Sequence, residues 1–305
     1  MQIPNLNPVD SEVNLRGRVD RLFRETSRVH PVERQVNLGL APAGSSICIE
    51  QDTITLPWFL DFVTDALPSG DVYLFGGVLR DLALSGKKGF NSDVDLVVEG
   101  DWDHLVAYLR KFGAELNKFG GYRLAIGEWP VDIWHAESTW AIRHGLVKYQ
   151  GISSLTATTV LNWDAILMNW RTKSFIFRHG YFEDIGMRRL DIVLEENPNP
   201  LGMLVRVLRH LYLKDAMQIT IRAVRYIAKQ TKIYSYKQLK DAELKSYKNS
   251  IIEHKIYNFF HLIDVSDRMD IRTCYEMTGN ILEKELENKK SINICVGESN
   301  MRMFE

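Results

Sequence analysis

Apolar residues recur at helical spacing in LPWFLDFVTDALPSG, where Leu56, Phe59, Leu60, Phe62 and Val63 share one face and Pro68-Ser69-Gly70 ends the helix. The run VYLFGG then reads as a short buried strand entering a tight turn, and VLRDLALSG as the helix leaving it. After the loop KKGFNS, the β-branched content of DVDLVVEG predicts a second strand. DWDHLVAYLRKFG is helical: Leu105, Tyr108, Leu109 and Phe112 line one side, Asp101 or Asp103 can cap it, and Gly113 closes it. GYRLAIGEWPVDIWHA predicts a hairpin around Gly127-Glu128. This order of elements predicts an α/β or α+β sheet with mixed strand pairing.

Downstream, TATTVLNWDAILMNW reads as a helix, SFIFRHG as a strand, and DIVLEENPNP as a passage into a Pro/Asn linker. From Leu201 the pattern is helical almost throughout, in LGMLVRVLRHLYLKDAM, ITIRAVRYIAKQT, SIIEHKIYNFFHLIDVS and YEMTGNILEKELENK. Upstream, VNLRGRVDRLFRETSRV suits a short amphipathic helix ending before Pro31, within an extension expected to lie outside the core. The expected organisation is an extension over 1–50 and an α+β domain over 51–150. A segment over 151–200 completes that domain, and a helical domain follows over 201–305.

Composition adds boundaries to this picture. Of 305 residues, 45% are hydrophobic and 25% charged, the proportions of a soluble globular chain able to bury a core unaided. Cys48, Cys274 and Cys295 form no CxxC pair, which argues against a disulfide framework or a cysteine-rich zinc site and suits a reducing compartment. No run has signal-peptide or membrane-spanning character, so a cytoplasmic protein without a membrane partner is expected. The net charge of −1 conceals an asymmetry: residues 201–250 hold eleven Lys and Arg against three acids, a local balance of +8. Such a stretch suits a polyanionic partner, with a solvated helix face as the plainer alternative.

Three features carry chemistry. Gly76-Gly77 stands at a strand-to-helix turn, where absent side chains let backbone N–H groups and a helix N-terminus approach a phosphate. Asp93 and Asp95 are two apart on a strand, so both carboxylates face one way, as a hard divalent cation requires. Asp132 lies between Val131 and Ile133 on the later strand and is either part of a polar strand face or a third ligand. Together they supply the parts of a two-metal phosphoryl-transfer site. No GxGxxG, GK[ST], HExxH or GxSxG pattern supports a dinucleotide, Walker, zinc-hydrolase or serine-nucleophile reading.

YLFGGVLRDLALSGKKGFNSDVDLVVEG resembles the head-domain motif of the tRNA CCA-adding enzymes and bacterial poly(A) polymerases, within the DNA polymerase beta superfamily. PVDIWHA is similar to that family's strand with the third carboxylate, and LVRVLRH to its RILRA helix. The resemblance runs from about Tyr73 to His210. It implies a polymerase-beta-like mixed sheet with a helical neck-like region, acting as a nucleotidyltransferase on an RNA 3′ end. Asp93, Asp95 and Asp132 would be catalytic and would hold two Mg²⁺ (or Mn²⁺) ions, with Gly76, Gly77, Arg80, Arg206 and Arg209 on the nucleoside triphosphate. RNA would lie on the basic helices after Leu201, where Tyr226, Tyr234 and Tyr236 could stack on bases or pack between helices.

The chain also departs from the family. Thr158-Thr159-Val160 replace the Arg-Arg-Asp of RRDFTINA, Asp164 replaces its Asn, and Gly202 and Met203 stand where the base-reading Glu-Asp is expected. An alternative acceptor therefore stays open: a protein, a small molecule or a nucleotide.

Overall fold

The computed structural model describes residues 7–25, 54–90, 92–214, 216–250, 273, 275–280, 282 and 293–295. The chain divides into two compact units. One holds the described residues up to Thr159 together with Asp164–Tyr181, and the other holds Val160–Trp163 and the described residues from Phe182 onward.

The first unit is built on a seven-stranded sheet of β1 (Gly70–Phe75), β2 (Val94–Gly100), β3 (Glu115–Leu116), β4 (Tyr122–Ile126), β5 (Trp129–His135), β6 (Ile166–Asn169) and β7 (Phe175–Phe177). Their spatial order is β3-β4-β5-β2-β1-β6-β7. The β2–β5 pair is parallel and the other neighbours are antiparallel, which is the mixed pairing expected. Strand alternation sends Val72, Leu74, Val94, Leu96, Val98, Val131 and Ile133 to one face, and all are buried. The helices α2 (Leu56–Asp65) and α3 (Gly77–Ser85) pack on these strands. The helix α2 starts on Thr55, whose side chain accepts from Trp58 N–H, with Pro57 in its first turn. In α4 (Trp102–Lys111), Leu105 and Leu109 are buried, and Tyr108 and the following Phe112 meet Phe62 edge-on. Asp101 occupies the N-cap of α4 without a side-chain cap bond; its carboxylate instead accepts from Ser69 Oγ at 3.0 Å. The opposite face of the sheet presents Tyr73, Val97 and Leu167. Against them lie Ala136, Ile152 and Leu155, with Ile142 of α5 (Trp140–Arg143) beside them.

Two findings differ from the sequence reading. The helix inside the expected N-terminal extension, α1 (Glu12–Glu25), packs on α3. Leu15, Val19 and Leu22 are buried, and Arg18 donates from Nη1 to the carbonyls of Leu82 (2.8 Å) and Ala83 (3.2 Å) near the end of α3. Of the first fifty residues, 1–6 and 26–50 lie outside the described residues. The second difference is TATTVLNWDAILMNW, expected as a helix. It begins in the last two residues of the 3-10 turn Ile152–Ala157, then holds a 3-10 turn at Asn162–Asp164 and the strand β6. All four residues of β6 are buried, and the strand sits between β1 and β7. A strand covered on both faces shows no alternation, so its apolar run is indistinguishable in sequence from a buried helix.

The second unit contains most of α6 (Tyr181–Gly186), then α7 (Pro200–Leu213), α8 (Ile221–Thr231) and α9 (Tyr236–Tyr247). It also has a three-stranded sheet of β10 (Asn293–Cys295), β9 (Gln218–Thr220) and β8 (Arg189–Leu190), paired in parallel. Asn199, Thr220 and Ser235 cap the three long helices, the last in a reciprocal capping box with Gln238. SIIEHKIYNFFHLIDVS falls almost wholly outside the described residues, and of YEMTGNILEKELENK residues 275–280 are helical.

Candidate active site

The glycine turn and the three carboxylates gather at one end of the central strands. The strand β1 ends at Phe75, which pairs with Asp95 on β2, and Asp95 in turn pairs with Asp132 on β5. Residues paired across a sheet point to one face, so Asp95 and Asp132 project side by side; Asp93 stands one residue ahead of β2, and its carboxylate meets that of Asp132 on one nitrogen of Arg123. Val94, Leu96, Val131 and Ile133 fix this orientation, because rotating either strand would bury acids and expose the core.

Gly76 has φ +59 and ψ −108, a conformation closed to residues with a side chain. Gly77 is required by proximity instead: a Cβ there would meet Ser92 Oγ at 3.1 Å and Ser92 Cβ at 3.2 Å. The turn is thus seated on the residue preceding Asp93. Of the two N–H groups, that of Gly76 donates to the Ile166 carbonyl at 3.0 Å, while that of Gly77 lies in the first turn of α3, where N–H groups have no acceptor within the helix.

Arg80 is buried, at 3% exposure, and all three of its guanidinium nitrogens are engaged. Nε donates to Asp81 at 2.9 Å, Nη1 to Asp164 at 2.5 Å and Nη2 to Ser92 Oγ at 2.9 Å; Ser92 Oγ donates to Asp81 at 2.6 Å. Burial alone would push this guanidinium down, but the charges of Asp164 and Asp81 outweigh it and hold the group above its ordinary value. Arg80 therefore braces the turn, α3 and the approach to Asp93 from within the unit, rather than extending toward a phosphate. Asp164, which reads in sequence as a departure from the family pattern, is the second charge that this buried cation needs.

Arg123 was not singled out by the sequence reading. It stands on β4 opposite Asp132. Its Nε donates to Asp132 Oδ1 at 2.8 Å, and Nη2 donates to both Asp132 Oδ2 (2.5 Å) and Asp93 Oδ2 (3.2 Å). These bonds to Asp132 lead the causes that raise the guanidinium above its ordinary value, with the charges of Asp93 and Asp95 contributing too. The signal was available: a two-residue turn at Gly127-Glu128 makes Ile126 face Trp129, and counting back places Arg123 against Asp132.

Solved structures supply the comparison for this arrangement. A CCA-adding enzyme in complex with CTP matches with a TM-score of 0.51 at 17% identity, over 68% of this chain and 51% of that one. A CCA-adding enzyme in an apo form matches with a TM-score of 0.50 at 17% identity, over 69% of this chain and 50% of that one. The fold is that of the CCA-adding enzymes. The chain spans about half the length of these structures. No family model and no curated protein matches the sequence.

Within this CCA-adding-enzyme fold, the remaining site candidates belong to the second unit. Arg206 is half-buried on α7. Arg209 donates from Nη1 to the fully buried Glu243 at 2.5 Å and to Asn249 at 2.8 Å, and lies over the Tyr247 ring at 4.0 Å, tying α7 to α9. Gly202 is set by the cap of α7: a Cβ there would meet Asn199 Nδ2 at 2.2 Å. Several cations of the basic stretch have partners, Arg222 on the Val193 carbonyl and Lys229 on Glu195 at 3.1 Å. Lys237, Lys245 and Lys248 are exposed on or just beyond α9.

Among the described residues, no group of three or more His, Cys, Asp or Glu side chains forms a ready-made coordination shell. The donor chemistry of Asp93, Asp95 and Asp132 nevertheless suits a hard divalent cation, since all are carboxylates. One nitrogen of Arg123 donates to both Asp93 and Asp132, so these two carboxylates already converge on a single cationic point. No helix among the described residues is long and apolar enough to cross a membrane.

Proposed function

We propose that this protein is a metal-dependent nucleotidyltransferase that moves a nucleoside monophosphate from an NTP to an RNA 3′ end. The observation that carries this reading is the register of Asp95 against Asp132, with Asp93 just ahead of β2 meeting Asp132 on one nitrogen of Arg123. In the reaction an acceptor hydroxyl gives up its proton to solvent, its oxygen bonds to the α-phosphorus, the bond from that phosphorus to the oxygen bridging to the β-phosphorus breaks, and pyrophosphate leaves. Two Mg²⁺ or Mn²⁺ ions, when bound, would supply Lewis-acid charge that favours the attacking alkoxide and the leaving pyrophosphate. Asp93 and Asp95 would hold both ions and Asp132 the one nearer the acceptor. Gly77 N–H and the N-terminal end of α3 would receive triphosphate oxygens, as helix N-termini favour anions. Arg80, Asp81, Asp164 and Ser92 keep that turn fixed relative to Asp93. Lys237, Lys245 and Lys248 would hold RNA phosphates.

The loss of the family's base-reading pair supports looser base choice. Gly202 offers no side chain and Met203 no carboxylate to read a Watson–Crick edge. That loss also favours a second reading, with the same chemistry on a protein, small-molecule or nucleotide acceptor. Incubation with each of the four labelled NTPs, with and without RNA, followed by sequencing of RNA 3′ ends, tests both. Labelled RNA 3′ ends are expected. Label on the protein or a small product with none on RNA would transfer support to the second reading, and ordered addition of C, C and A would refute loose base choice.

A further inference from the structure

We propose that Arg123 is a built-in competitor for the metal-binding carboxylates, so that a divalent cation binds Asp93 and Asp132 only by breaking their ion pairs with this guanidinium. The inference rests on the reading of these acids as metal ligands and adds a residue that sets how tightly they hold the metal. Its basis is first the backbone. Arg123 and Asp132 are direct partners across antiparallel strands in a hairpin with a two-residue turn, so their side chains leave the same face side by side. Their two backbone positions cannot separate without a register slip, and a one-residue slip would turn Leu124 and Val131 out of the core.

The second basis is occupancy. Arg123 engages both oxygens of Asp132, Oδ1 at 2.8 Å and Oδ2 at 2.5 Å, in the two-pronged geometry that makes guanidinium–carboxylate pairs strong. It also reaches Asp93 Oδ2 at 3.2 Å from the same nitrogen that contacts Asp132 Oδ2. The lone pairs that a cation needs on Asp132 are thus those the guanidinium already uses, and one positive charge offsets part of the repulsion among three carboxylates. The Arg123 side chain is 58% exposed, so it can swing outward when displaced, and its hold weakens as salt rises. Displaced from Asp132, it stands at the mouth of the site as a cation with donors suited to a phosphate oxygen.

Titration of Mn²⁺ followed by electron paramagnetic resonance, without nucleotide, tests this apart from turnover. Arg123→Gln is expected to bind Mn²⁺ about ten-fold more tightly than the wild type at low salt, the difference narrowing as salt rises. Arg123→Lys, which keeps the charge and loses the fork, is expected between the two. Arg171→Gln, which removes a guanidinium paired with Asp65 and Asp71 elsewhere on the unit, should leave Mn²⁺ affinity unchanged. Equal or weaker Mn²⁺ binding by folded Arg123→Gln and Arg123→Lys, with binding intact in the wild type, overturns the competitor role and leaves the metal reading standing. Binding by none of these proteins overturns both.

Discussion

Arg80 and Asp164 form a buried ion pair at 2.5 Å between α3 and the turn that precedes β6, 84 residues apart in sequence. A guanidinium with 4% of its side chain exposed can stay charged there only because Asp81 and Asp164 both answer it. Removing one partner leaves charge uncompensated in the interior. Asp164→Ala is therefore expected to lower stability by roughly 3–5 kcal/mol, and Asp164→Asn by less, since the amide still accepts a hydrogen bond. Urea unfolding checks this: the midpoint should fall with little change in slope. An unchanged midpoint would mean that the pair does not brace the turn.

The carboxylates should separate binding from chemistry. Asp95→Asn keeps the side-chain shape and removes one ligand charge, so transfer should fall by at least about 10²-fold while stability without divalent cation is unchanged or slightly higher. Asp132→Ala should keep nucleotide binding and lose turnover. Rates measured beside fluorescent-nucleotide titrations check both expectations. Near-normal activity in either variant would falsify the assignment.

The exposed lysines of the second unit give an electrostatic test. Lys237→Glu, Lys245→Glu and Lys248→Glu combined should weaken RNA binding without regard to sequence. The slope of log affinity against log salt should become shallower by about 2, as expected for three lost phosphate contacts on a single strand. Filter binding at several salt concentrations measures it, and an unaltered slope would detach RNA from α9.

Lys173 offers a pH signature in the first unit. Burial holds its ammonium down to about 8, with Asp61 and Asp20 opposing that shift, and Nζ lies 2.9 Å from the centroid of the Trp170 ring. Because the folded value lies below the ordinary lysine value, the unfolded chain binds more protons above pH 8, and stability rises with pH through that range. The gain should be visible from about pH 8 to 9.5, below the ordinary tyrosine range near 10. Lys173→Met should remove it, leaving a flatter profile in chemical denaturation at stepped pH. A wild-type profile parallel to that of the variant would refute the depressed ammonium.

Sequence by itself determined those features whose cause is local. Strand alternation puts Asp95 on the face of β2 opposite buried Val94 and Leu96, the apolar neighbours of Asp132 place it on a sheet face, and the positive φ at Gly76 follows a glycine pair at a strand end. The helices α2, α7 and α8 were equally legible, because helical periodicity acts within a few residues. Tertiary structure decided what depends on distant chain segments. It made β6 a strand, since an apolar run becomes one only when β1 and β7 offer edges on both sides. It drew Arg80 inward to Asp164 and Arg209 to Glu243, because a cation goes to whichever acids the fold encloses with it, and spacing along the chain does not reveal them. The register of the β4–β5 hairpin set Arg123 against Asp132, a local pairing whose meaning emerged only when β2 brought Asp93 and Asp95 alongside.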